Sequence, residues 1–191
     1  MALTALVLAG SRREGALSRR VQTAIALQLA EQGLQPDLVQ PEDLTAPLYD
    51  GDLETAEGVP ASIQALNARM AAADALVIVS PEYNAMFPPL LKNTLDWMSR
   101  KVSGQPGGAV FKHKPVLLLA TSRGARGGIR ALPHLRFQMA YFEMQVYGPQ
   151  LGIGDVEHKV SASGEVIDAG LADEMRALAV GFADFCRKLS A

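Results

Sequence analysis

The chain is poor in the residues that build disulfides and metal sites. Its 191 residues include one cysteine, Cys186, and three scattered histidines, His113, His134 and His158. A single thiol excludes an intrachain disulfide and a cysteine zinc site, and the histidine spacing fits no metal motif. Charge excess is equally scarce. Eighteen Lys+Arg against twenty Asp+Glu give a net charge of −2, which excludes a nucleic-acid binder held by bulk electrostatics. Long apolar runs are missing too. Met1 to Gly10 (MALTALVLAG) is apolar, but no Lys or Arg precedes it and Arg12 and Arg13 follow at once. It reads as neither a signal peptide nor a membrane span, so a cytoplasmic protein is expected. Neither an internal repeat nor a splitting linker is visible. One domain over 1–191 is expected from the length, and the 49% hydrophobic content with 20% charged residues describes an average globular chain.

What is present is alternation. Leu3 to Ala9, Ala75 to Ser80 and Pro115 to Ala120 are continuous apolar runs of strand length. Asp37 to Gln40 is a weak second strand, and Glu143 to Tyr147 a short fifth. Helical spacing of apolar residues marks Leu17 to Gln32, Ala61 to Ala73, Pro88 to about Arg100, Ile129 to Phe142 and Leu171 to Leu189. Pro41 to Pro60 is rich in Pro, Gly, Asp and Glu and reads as one long loop, and Val102 to Gly108 as another. Buried strands alternating with helices imply a parallel sheet covered on both faces. Five strands in this length fit an α/β three-layer sandwich of the flavodoxin-like order 2-1-3-4-5. Ligands of such sheets sit beyond the strand carboxyl ends, so the loops after Ala9, Ser80 and Ala120 are expected to converge.

Gly10 to Arg19 carries hydroxyls, guanidiniums and glycines at a helix start. There Ser11, Arg13 and Ser18 suit a phosphate, or equally a turn, a solvated face and a helix residue. Ala16-Leu17 stands where a nucleoside-triphosphate loop needs Lys-Ser/Thr, and no G-x-G-x-x-G follows the first strand. Ser80 to Pro89 combines prolines, polar groups and aromatics. That mixture suits the edge and face of a planar heterocycle, or a stiff loop whose Tyr83 and Phe87 cover the core. Thr121 to Gly128 is glycine- and arginine-rich, open to a ligand's approach or simply a surface loop.

Gly10-Ser11-x-Arg13, with Pro81-Glu82-Tyr83-Asn84, Pro88, Leu91-Lys92-Asn93 and Asp96-Trp97, resembles the NAD(P)H-dependent FMN reductases, which include flavin, quinone, chromate and azo-dye reductases. Asp43-Leu44, Pro47-Leu48-Tyr49, Asp52, Ser122 and Gly127-Gly128 extend the resemblance. It departs at Ala16 and Ser18, where the family usually has Ser-x-Asn, and at Pro88-Pro89, where many members have Pro-Gly. The resemblance implies bound FMN and NADPH or NADH as donor. It also implies ping-pong transfer to a quinone, flavin, azo or metal-oxyanion acceptor. It places Ser11, Arg13 and Ser18 on the phosphate, Pro81, Glu82, Tyr83 and Asn84 along the ring system, and Ser122 and Gly124 across from them. Tyr83, Met86 and Phe87 would border the acceptor. No catalytic side chain and no metal ligand are implied, since the chemistry sits at flavin N5. A homodimer or homotetramer is expected, with Trp97 a candidate for its interface. No nucleic-acid or membrane partner is expected. The alternatives are a flavodoxin-like electron carrier and a cofactor-free binding module on the same fold. Cys186, at an apolar-face position of the last helix, reads as an inert buried thiol.

Overall fold

A computed structural model describes residues 2–102 and 104–190. Met1 of the first apolar run and Ser103 of the Val102–Gly108 loop lie outside the described residues. Five parallel strands line up in the order β2 (Gln35–Leu38), β1 (Thr4–Ala9), β3 (Ala75–Pro81), β4 (Pro115–Thr121), β5 (Gln145–Val146). The expected order therefore holds, with one addition. A sixth strand, β6 (Leu151–Ile153), also pairs with β4, at Leu119, Ala120 and Thr121, whereas β5 pairs at Pro115 and Val116. The fifth position is thus one edge in two pieces, interrupted between Val146 and Leu151.

Side chains alternate across each strand and feed two cores. Leu6, Leu8, Leu76, Ile78, Val116 and Leu118 face one way, toward α3 (Ala61–Ala72), α4 (Pro89–Met98) and α5 (Ala131–Tyr141). Ala5, Val7, Val77, Val79, Leu117 and Leu119 face the other, toward α1 (Leu17–Glu31) and α7 (Ala169–Leu189). No helix among the described residues is long and apolar enough to cross a membrane. Cys186 is fully buried in the second core, and burial pushes its thiol up to about 12, which makes it inert as a nucleophile.

The Pro41–Pro60 segment is not one loop. It holds a 3-10 turn at Pro41–Leu44 and a short helix, α2 (Gly51–Glu57), whose start is capped by Asp50 accepting from Asp52 N and Leu53 N. Between them, Pro47–Tyr49 is fastened to α4. Asn93 Oδ1 accepts from Tyr49 N at 2.7 Å, Asn93 Nδ2 donates to Pro47 O at 2.8 Å, and Trp97 Nε1 donates to the same carbonyl at 2.8 Å. This gives the Asn-x-x-Asp-Trp spacing a local physical role. Residues four apart share a helix face, and here they hold an extended strap. The same geometry corrects the reading of Trp97 as an interface residue. Its side chain is fully buried within the chain's own core, edge-on to Tyr49 at 5.0 Å. Leu91, Leu95 and Met98 likewise face their own sheet. The last short helix, α6 (Val156–Lys159), follows β6 directly.

Candidate functional site

The loops that leave β1, β3 and β4 meet at the carboxyl edge of the sheet, at the switch between β1 and β3. They enclose a cavity of about 520 Å³ lined by Ser11, Arg13, Ala16, Leu17, Ser18, Pro81, Glu82, Tyr83, Thr121, Ser122 and Arg123. That volume suits one cofactor-sized ligand. Seven of the nine residues expected at the site line it. Asn84 and Gly124 stand beside the lining. Asn84 lies in the turn of loop two, and Gly124 accepts from Ser122 Oγ at 2.7 Å. Ala16, Leu17, Thr121 and Arg123 also line the cavity, though none is among the nine residues expected there. Thr121 carried a usable signal, as the polar residue that ends the most apolar strand.

Loop one presents the start of α1. Ala16 is its N-cap, with extended backbone and no side-chain cap, and the first turn holds no acidic residue. The amides of a first helical turn have no partner within the helix, and the dipole there favours an anion. Ser18 is 1% exposed, and its hydroxyl has no hydrogen-bond partner. A buried orphan hydroxyl costs about 1–3 kcal/mol, so its presence beside an uncapped helix end points to an absent acceptor. Ser11 Oγ accepts from Arg13 N at 3.3 Å, which curls the loop so that Arg13 borders the same cavity. Across from it, Thr121 Oγ1 is also buried and unpartnered.

Loop two is a tight hairpin. Tyr83 N donates to Met86 O at 2.8 Å and Met86 N to Tyr83 O at 3.0 Å. The two central residues, Asn84 and Ala85, both have positive φ, 51° and 68°. Tight two-residue turns of this hand favour Asn followed by Gly, because a Cβ is disfavoured there. Ala85→Gly is expected to stabilise the protein by about 0.5–1 kcal/mol, read as a rise in thermal midpoint. A fall in midpoint would show that the Ala85 methyl packs usefully. Tyr83 is 52% exposed and Met86 43%, while Phe87 is buried in the core. Phe87 therefore supports the hairpin from below, and of the three residues expected to border an acceptor only Tyr83 lines the cavity.

Loop three is fixed from two sides. Glu82 Oε2 accepts from Arg130 N at 3.1 Å, which ties loop two to the entry of α5. Ser122 N donates to Ile153 O at 3.2 Å, and Gly127 approaches Gly152 so closely that a side chain at Gly127 has no room. Among the described residues no cluster of His, Cys, Asp or Glu could hold a metal.

The model of the NADPH-dependent FMN reductase family matches residues 3–158. The chain is 34% identical to a quinone reductase of Escherichia coli (strain K12) over 189 residues, 98% of this chain and 97% of that protein. It is 35% identical to a 2-hydroxy-1,4-benzoquinone reductase of a Burkholderia species over 168 residues, 87% of each. Among solved structures, an NAD(P)H:(acceptor) oxidoreductase flavoenzyme from Paracoccus denitrificans superimposes with a TM-score of 0.84 at 28% identity, covering 98% of both chains.

Proposed function

From the premise that the chain belongs to the NADPH-dependent FMN reductase family, we propose that it reduces small quinones in two half-reactions that share one cavity. The family is one of FMN-binding oxidoreductases that draw on NAD(P)H. When bound, the flavin supplies a centre that takes two electrons as hydride and gives them up again. The convergence of the three loops on one cavity carries the reading. The uncapped end of α1 and the orphan Ser18 hydroxyl fit a phosphate, with Arg13 and Ser11 completing its shell. Pro81, Glu82, Tyr83 and Asn84 line the ring edge, and Ser122 and Gly124 face them. Thr121 adds a hydroxyl from the floor.

The cavity lining brings Arg13, Arg123, three serines, Glu82 and Tyr83 to a ligand, and the part assigned to the chain is to bind and orient the rings. Donor and acceptor are proposed to use this one open cavity in turn, which is ping-pong order. Quinones lead among acceptors because relatives of high coverage are named for them, with free flavins, azo dyes and metal oxyanions the wider set. A homodimer or homotetramer in the cytoplasm belongs to the same proposal. The exposed Phe137 and Tyr141 on α5, four residues apart, offer it an apolar surface in place of Trp97.

The expected result is a yellow protein whose flavin band bleaches under anaerobic NADPH or NADH and returns on adding benzoquinone. Double-reciprocal plots against benzoquinone at several NADPH concentrations should run parallel. Intersecting lines would overturn the ping-pong order, and a band that neither nicotinamide changes would leave an electron carrier.

A further inference from the structure

A second cavity shares no residue with the first. It lies between α3, the end of α4 and the segment that follows α4, and its volume is about 190 Å³. Because α3 leads into β3 and α4 leads away from it, this cavity sits toward the amino-terminal edge of the sheet. Ala68, Ala71, Met98, Val102, Pro106 and Val110 give it an apolar wall. Gln64, Asn67, Arg100 and Gln105 break that wall, and of these Asn67 alone is buried. Asn67 is 4% exposed, and its Oδ1 is buried with no hydrogen-bond partner. A lone acceptor in an apolar recess is costly unless something donates to it.

The charge at the mouth is already met. Arg100 Nε donates to both carboxylate oxygens of Glu54, at 3.0 and 2.8 Å, and its guanidinium lies over the Tyr49 ring at 5.3 Å. Gln64, on the rim, gives its Nε2 to Val59 O at 2.7 Å. Among the described residues no carboxylate lines the recess. The occupant is therefore uncharged. Its size follows from the volume, since an apolar cavity of about 150 Å³ holds one benzene ring. Its polarity follows from Asn67, which needs one donor.

We propose that this recess is a binding site for a neutral single-ring aromatic carrying a hydroxyl donor, with Asn67 Oδ1 accepting its proton and the α3–α4 wall packing its ring. The test is a titration of phenol into the FMN-loaded, ¹⁵N-labelled protein followed by amide shifts. The expected shifts fall on residues 67–71 and 108–110 and leave 11–18 and 80–84 in place. Toluene, which lacks the donor, should bind at least tenfold more weakly. Asn67→Leu should weaken phenol at least tenfold while FMN content and reduction by NADPH stay unchanged. Should Asn67→Leu fail to fold, Ala68→Trp on the exposed rim must block phenol instead. Shifts confined to the flavin loops, equal binding of phenol and toluene, phenol binding that survives both substitutions, or no shifts at all because water alone satisfies Asn67, would each overturn the site.

Discussion

Ala16→Asp should make the protein more stable and its flavin binding at least a hundredfold weaker. The two effects have one origin. Ala16 occupies the N-cap of α1 and offers no side-chain acceptor to the first turn. Aspartate is among the preferred N-caps, and replacing alanine there gains about 1 kcal/mol. The same carboxylate, however, stands at the edge of the cavity that Ala16 lines. Two unit charges about 5 Å apart repel by roughly 3 kcal/mol at an effective dielectric of about 20, and a flavin phosphate carries more than one. A hundredfold loss needs only about 2.7 kcal/mol. Quenching of flavin fluorescence gives the affinity, and thermal unfolding of the apoprotein gives the stability. Ala16→Asn separates the causes, since it caps without charge and should cost flavin affinity tenfold or less. If Ala16→Asp binds FMN as tightly as the parent chain, the phosphate does not sit at α1.

Ala16 leaves the start of α1 without a side-chain cap where the resembled family usually has serine, so in the proposed site the phosphate itself would meet the free amides of the first turn. The position of the cavity was legible from the fold. The strands β1, β3 and β4 are buried on both faces, so each is a continuous apolar run, and the strand order places their following loops together without any side-chain detail. That placement picks out the loops, while Ser11, Arg13, Ser18, Pro81, Glu82, Tyr83 and Ser122, which line the cavity, were named by the family resemblance. Elements with no apolar period were not legible. Helix α2 buries none of its residues, so only Asp50 and the acidic first turn announce it. β5 falls within the fifth strand expected at Glu143–Tyr147, but β6, three residues long, is too short to show alternation. Trp97 misled for a different reason. Its indole N–H is satisfied inside the subunit by a carbonyl fifty residues away in sequence, a contact that composition and periodicity do not reveal. Thr121 was passed over because it belongs to the strand by pairing with Pro81, yet its hydroxyl belongs to the cavity.

Gly127→Ala should destabilise the fold by about 3 kcal/mol and weaken FMN at least tenfold, although Gly127 does not line the cavity. Two costs add. Its φ is +63°, where an L side chain costs roughly 1–2 kcal/mol. A Cβ built there would stand 2.5 Å from the Gly152 carbonyl carbon and 2.6 Å from its oxygen. Those are backbone atoms of β6, which cannot rotate aside, and overpacking of this kind costs about 1–3 kcal/mol. The strain has one available outlet, a displacement of the Thr121–Gly128 loop away from β6. That loop carries Ser122 and Arg123 into the cavity, and the bond from Ser122 N to Ile153 O would open with it. Gly154→Ala supplies a second path to the same movement. Its φ is not positive, so only the contacts operate, with Ala125 O at 2.6 Å and Ala125 C and Gly124 O at 2.7 Å, and a smaller loss of stability is expected with a comparable loss of flavin. Urea unfolding and FMN titration of both variants check this. Should Gly127→Ala lose stability while both variants keep full FMN affinity, loop three would not contribute to the flavin site, and Ser122 and Gly124 would have to be withdrawn from it.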